Sequence, residues 1–254
     1  MTDGLVAPTE DRWRALARSS PWLWRTVRLE LVRTGADPVR LEAWLDRRQA
    51  LRVASGDGER VVQELHRSTS SWFGWDERGK PVRGTTFEPF PWEVAVEFDA
   101  DGLITARPSG LEVAEELMWR DYRWVAMLDP VELADGSAQR PGAATLLSEI
   151  SAAHRHGRLT WWAVVREGPG YDPRCTCCPL LDGELADRLS EVEGGPRTPW
   201  LRSPAGQPTR WLVGLDRATG IVVSLEPLDG ASFAGGFEIR LRGVDEELDP
   251  SLWR

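Results

Sequence analysis

Arg174-Cys175-Thr176-Cys177-Cys178-Pro179 gathers all three thiols of the chain into four positions. Thiols this dense can pair as a disulfide, hold a soft metal ion, or pack without reacting. Cys175 and Cys178 have the C-x-x-C spacing of a dithiol, and a helix N-terminus just after them would lower a thiol pKa. His154 and His156 are the nearest imidazoles in sequence. A structural zinc site draws on two separated pairs of ligands, and neighbours such as Cys177 and Cys178 project to opposite sides of extended backbone. The expectation is no metal, with Cys175, Cys177 and Cys178 as loop-packed thiols or as a redox-sensitive cluster.

Other reactive chemistry is sparsely represented. There is no Gly-x-Ser-x-Gly elbow, no Gly-rich phosphate loop and no His-Glu-x-x-His pair. Glu115-Glu116 and Glu246-Glu247 are adjacent acids that diverge on a helix or strand, so they do not make an acid–base couple. His66, His154 and His156 are isolated or flanked by Arg. No catalytic residue and no cofactor is nominated. The fourteen tryptophans are the other resource. Trp22, Trp24, Trp44, Trp119, Trp124, Trp161, Trp162 and Trp211 fall in regular elements and read mainly as core. Trp72, Trp75 and Trp92 fall in residues 67–92, where Gly74, Gly79, Pro81, Gly84, Pro89 and Pro91 break any period. Aromatics in such a loop either flap over a pocket or pin the loop to the core. Trp72, Trp75, Trp92 and Trp124, with Arg52 and Arg120 as polar groups, are the candidate ligand contacts.

The elements that would position these residues follow from periodicity. Thr9 or Asp11 caps a short helix through Trp13, Leu16 and Ala17, ended by Ser19-Ser20-Pro21. Period two then marks strands at 27–32, 39–44, 50–53, 59–65, 93–98, 159–166, 211–216, 221–226 and 236–242. Helical spacing is read at 111–120, 122–133, 143–156 and 182–193, the last capped by Asp182. Asp216-Arg217-Ala218-Thr219-Gly220 is a tight turn. Residues 134–142 and 194–208 are Gly/Pro-rich connections. No repeat and no break in composition divides the 254 residues, so one α+β domain is expected, with residues 1–20 as an N-terminal helix or arm.

Four stretches in this order, residues 39–62, 125–133, 157–165 and 212–220 with the terminal 244–253, resemble the lipoprotein-carrier superfamily. That superfamily comprises the outer-membrane lipoprotein-sorting proteins and the related periplasmic regulators of anti-sigma factors. The resemblance implies a strongly curved antiparallel sheet, an unclosed barrel, wrapped around helices with an apolar concavity between them. It implies shelter for a lipid-like small molecule or an apolar peptide segment. Those relatives are exported, whereas residues 1–11 have no basic n-region and no apolar h-region.

Bulk properties narrow the classes further. A net charge of −9 opposes nucleic-acid binding, which rests on neutralising phosphates. The longest nearly apolar run, residues 159–165, is far short of the ~20 residues that span a bilayer. The basic set is almost wholly Arg, with Lys80 the single lysine, a composition of the GC-rich, actinobacterial type. The expectation is a cytoplasmic, non-catalytic binder of a hydrophobic ligand. The alternative is a protein-interaction module regulated through its cysteines.

Overall fold

Val27, Leu29 and Leu31 are buried and Arg28 and Val32 exposed, so β1 (Thr26–Arg33) turns one dry and one wet face to its surroundings. From β1 the chain steps outward through β2 (Val39–Asp46), β3 (Ala50–Ser55) and β4 (Arg60–Glu64). Far along the sequence it returns through β7 (Thr145–Arg155), β8 (Arg158–Glu167), β9 (Trp211–Asp216), β10 (Val222–Pro227) and β11 (Phe237–Val244). The last strand lies beside the first, giving the order β4-β3-β2-β1-β11-β10-β9-β8-β7. Every neighbouring pair is antiparallel. β4 and β7 are the two edges, so the nine strands form an open sheet rather than a closed barrel.

This is a computed structural model, and it describes residues 6–254 apart from 36–37, 57, 59, 67–68, 76, 79, 88, 109–110, 112–116, 137–139, 141, 193–205 and 233–234. For 69–74 and 83–87 it describes the backbone alone.

The dry face carries a core of buried side chains. Leu29, Leu51, Trp211, Val213 and Leu215 of the strands share one core with Trp13, Leu16 and Ala17 of α1 (Glu10–Leu23). Met127 and Leu128 of α2 (Arg123–Leu128) and Leu133 of α3 (Val131–Ala134) complete it. Arg14 ties these layers together: it donates to Leu133 O at 3.3 Å, Thr145 Oγ1 at 3.0 Å and Thr145 O at 2.5 Å. The wet face carries cross-strand pairs such as Arg242–Glu30 at 2.6 Å and Arg28–Glu42 at 3.5 Å. The turn at 216–220 packs directly on α1. Gly220 has φ +71°, and a Cβ there would lie 2.6 Å from Leu16 O, so only glycine fits.

Several elements differ from expectation. Of residues 143–156, expected as helix, 145–155 are strand. A bulge between Ser148 and Ser151, with Glu149 at φ 52°, inserts one residue into β7. Leu147 and Ile150, both packed on the core, thereby become three apart, which mimics helical spacing. Residues 67–92 are not all loop: β5 (Thr69–Trp75) and β6 (Pro81–Phe87) pair as a separate two-stranded sheet. Residues 93–98 are not a strand; a 3-10 turn (Pro91–Glu93) leads into a lone bridge between Phe98 and Ile104. Thr9 caps α1 as expected, but the helix runs past Ser19 and Ser20 to Leu23 with Pro21 inside its last turn. α4 (Glu184–Val192) is capped not by Asp182 but by Glu167 of β8, which accepts from Leu185 N at 3.0 Å and Ala186 N at 3.3 Å. Of the helix expected at 111–120, residues 112–116 fall outside the described residues and 117–120 are not helical. No helix among the described residues is long and apolar enough to cross a membrane.

Candidate functional site

Where α1 ends and β1 begins, a cleft of about 770 Å³ opens between Trp22, Trp24, Trp92 and Trp253. The β2–β3 turn supplies Arg47, Arg48 and Gln49, and residues 245–248 form the far rim. Arg47 is buried at the base. It donates to Ser20 O at 3.3 Å and Leu128 O at 3.2 Å, and its guanidinium lies 3.8 Å from the Trp24 ring centroid. Trp24 Nε1 donates to Ser20 Oγ at 3.1 Å, and Ser20 Oγ donates to Leu128 O at 2.6 Å. Trp22 Nε1 donates to Val94 O at 3.2 Å. Trp92 stacks on Phe90 with centroids 4.7 Å apart and planes 9° off parallel. The indoles of Trp22, Trp24 and Trp92 are thus each held by a hydrogen bond, a stack or a cation, which fixes those walls before any ligand arrives.

Two of the cleft's carboxylates, Asp46 and Asp245, are occupied in structure. Asp46 pairs with Arg25 at 2.9 Å and raises the Arg25 guanidinium's pKa through that hydrogen bond and its charge. Asp245, itself at φ 55°, accepts from Arg25 N at 2.7 Å and Thr26 N at 3.2 Å. Arg52 reaches across to Leu252 O at 2.8 Å and holds down the terminal 3-10 turn (Pro250–Trp253) that carries Trp253.

A second polar centre lies beyond Leu128 on the same short segment. Asp129, with no exposure, takes both Nη atoms of Arg107 at 2.9 and 2.8 Å and also the Arg174 guanidinium. Burial pushes the Asp129 carboxyl up, but the charges of Arg107 and Arg174 outweigh it and hold it at about 2. Glu132 is the opposite case: burial raises it above the usual range even though it accepts three hydrogen bonds. Those come from Tyr171 Oη at 2.8 Å, Arg174 N at 3.1 Å and Leu180 N at 3.1 Å. A cleft of about 460 Å³ beside α3 is lined by Arg107, Glu132 and Arg174.

The cysteine loop hangs from that centre. Cys175 and Cys177 Sγ are 2.7 Å apart and Cys177 and Cys178 Sγ 3.8 Å apart, and all three are free thiols. Cys177 is exposed; the other two are half-buried. The Cys178 thiol donates to Cys175, and with the Cys177 thiol and the N–H groups of Cys177 and Cys178 it brings Cys175 down to about 5. Cys177 and Cys178 are pushed up because each is bound as donor to Cys175. Cys175 is thus the most acidic of the three thiols.

The expected ligand contacts are not gathered in one place. Trp92 lines the tryptophan cleft, and Arg52 acts on it through the terminal turn. Arg120, at φ 67°, lies with its guanidinium 4.2 Å from the Trp119 ring. Trp124 packs edge-on against Trp119 at 6.3 Å, beside a void of about 20 Å³ that has room for about one water. Trp75 is 66% exposed on the β5–β6 hairpin. Trp72 pairs with Gly84 through its backbone, and its side chain lies outside the described part. Sequence reasoning missed Arg47, Asp129 and Glu132; a basic residue in a hairpin turn and two acids near a short helix carry no signal of their burial. No protein-family model matches the chain, and no curated protein matches it.

Proposed function

We propose that the protein is a non-catalytic binder that takes a hydrophobic small molecule, lipid-like in chemistry, into the tryptophan cleft. The supporting observation is the wall of Trp22, Trp24, Trp92 and Trp253, the first three held in place by their own contacts, around a volume of about 770 Å³, within the range of about 300–1,000 Å³ that ligand pockets occupy. Each 100 Å² of apolar ligand surface removed from water contributes about 2.5 kcal/mol. Arg25 and Arg48 in the lining offer a polar end group a place at the rim. In this reading the open sheet is the half-barrel of the lipoprotein-carrier superfamily, curved around α1. The ligand lies at the end of α1 rather than beneath the strands. Unbridged cysteines fit a reducing compartment such as the cytoplasm.

The test is displacement of a fluorescent fatty acid from purified protein, followed in parallel with Trp92→Ala. Saturable binding that weakens about tenfold or more in the variant, the loss of ~1.4 kcal/mol or more, supports the reading. No saturable binding, or equal binding by the variant, removes it. Binding of an apolar peptide without fatty-acid binding assigns the cleft to a protein segment instead.

A further inference from the structure

Adjacent cysteines on extended backbone cannot share a ligand, yet Cys175, Cys177 and Cys178 bring their Sγ atoms within 4.8 Å of one another. The turn at 176–177 folds the chain back so that Cys178 faces Cys175 rather than away from it. What holds the turn is a single buried carboxylate. Glu132 accepts Arg174 N on one oxygen at 3.1 Å and Leu180 N on the other at 3.1 Å, so it clamps both ends of the loop. Arg174 is fixed a second time through its ion pair with Asp129. Ligands whose loop is anchored by an outer layer of hydrogen bonds are what a metal site requires.

We propose that Cys175, Cys177 and Cys178 form a three-thiolate site for a soft, thiophilic metal ion, Cu(I) in the first place. The donor set decides the class. Among the described residues no imidazole or carboxylate joins the three sulfurs, and all-sulfur sites select soft ions. Cu(I) accepts trigonal sulfur coordination, whereas Zn(II) takes four ligands and would need a water to complete the set. Exposed Cys177 provides the entry path. On binding, the thiol protons leave to solvent and three metal–sulfur bonds form, with no change of oxidation state. Sulfurs at ~2.3 Å from one trigonal ion lie about 4.0 Å apart. The Cys177–Cys178 separation of 3.8 Å is close to this. Cys175 and Cys177, now 2.7 Å apart, open by about 1.3 Å.

The test uses the reduced full chain without oxygen, titrated with Cu(I) against a coloured Cu(I) chelator, with X-ray absorption to count sulfur neighbours. One ion per chain with three sulfur neighbours is expected. Each of Cys175→Ser, Cys177→Ser and Cys178→Ser should weaken binding by more than about 100-fold, since loss of outer-layer partners alone costs 10–100-fold. Near-ultraviolet circular dichroism of the tryptophans checks that Cys177→Ser, an exposed change, leaves the fold intact. Binding unchanged in that variant, two sulfur neighbours, or no binding overturns the proposal. A Cys–Cys disulfide that forms equally fast on addition of oxidised glutathione, which is reduced to two thiols, with and without stoichiometric Cu(I) also overturns it and makes the loop a redox switch. Preference for Zn(II) over Cu(I) overturns the choice of ion.

Discussion

The tryptophan cleft and the cysteine loop hang from the same short stretch of chain but are held by different chemistry. On the cleft side the anchor is a main-chain carbonyl: Leu128 O accepts from Ser20 Oγ and Arg47, and those two groups set the Trp24 ring. On the loop side the anchors are carboxylates, Asp129 holding Arg107 and Arg174, and Glu132 clamping both ends of the loop. A carbonyl does not titrate; a carboxylate does. The Trp24 wall should therefore keep its shape across pH, and only the cleft's rim, through acids such as Asp46 and Asp245, titrates, while the loop depends on the charge state of two buried acids.

The largest effect that separates them is expected from Asp129→Ala. It leaves two arginines without their shared counter-charge, which for a buried pair costs about 3–5 kcal/mol. Urea unfolding measures the total. Hydrogen exchange should show residues 174–180 loosening before 20–26, and equal loosening would break the distinction. Next comes Arg47→Met, which removes two hydrogen bonds made by a charged donor and the contact with Trp24, a loss of about 2–3 kcal/mol. Here tryptophan emission should shift to the red while the thiols keep their reactivity towards a disulfide reagent.

Acid sharpens the contrast further. The Asp129 carboxyl is held at about 2 against an ordinary 3.8, so its stabilisation is complete above pH 3.8 and is lost as the pH falls through about 2. The expected loss is about 2 kcal/mol, and it should vanish in Asp129→Asn. Glu132 acts in the reverse sense: raised by burial, it adds stability below its ordinary 4.5 and loses it as the pH rises. The smallest effect is expected from Arg52→Ala, about 1 kcal/mol for one hydrogen bond to Leu252 O. It should free the terminal turn and weaken cleft binding without touching the cysteines.

Much of the sheet was legible because residues such as Val27, Leu29 and Leu31 alternate with polar neighbours and are buried on one face. The tight turn at 216–220 was legible for the same local reason, since its Asp216 side chain accepts from Ala218 N and Thr219 N within the turn itself. β7 was not, because its bulge puts Leu147 and Ile150 three apart. The β5–β6 hairpin was hidden by Gly74, Gly79 and Gly84, which erase alternation without preventing pairing. Of the site, Trp92 and the cysteines were visible by residue type. Their geometry depends on partners remote in sequence: Arg47 meeting Leu128, and Glu132 meeting Arg174 and Leu180. The cap on α4 fails in the same way, since Glu167 reaches it from another strand.

The indole N–H resonances of the fourteen tryptophans give the most direct test of the cleft as the binding site. On titration with a fatty acid, the signals of Trp22, Trp24, Trp92 and Trp253 should move together and saturably, while fully buried Trp13 and Trp211 stay in place. Movement confined to Trp75 or Trp124, or no movement at all, would contradict the account.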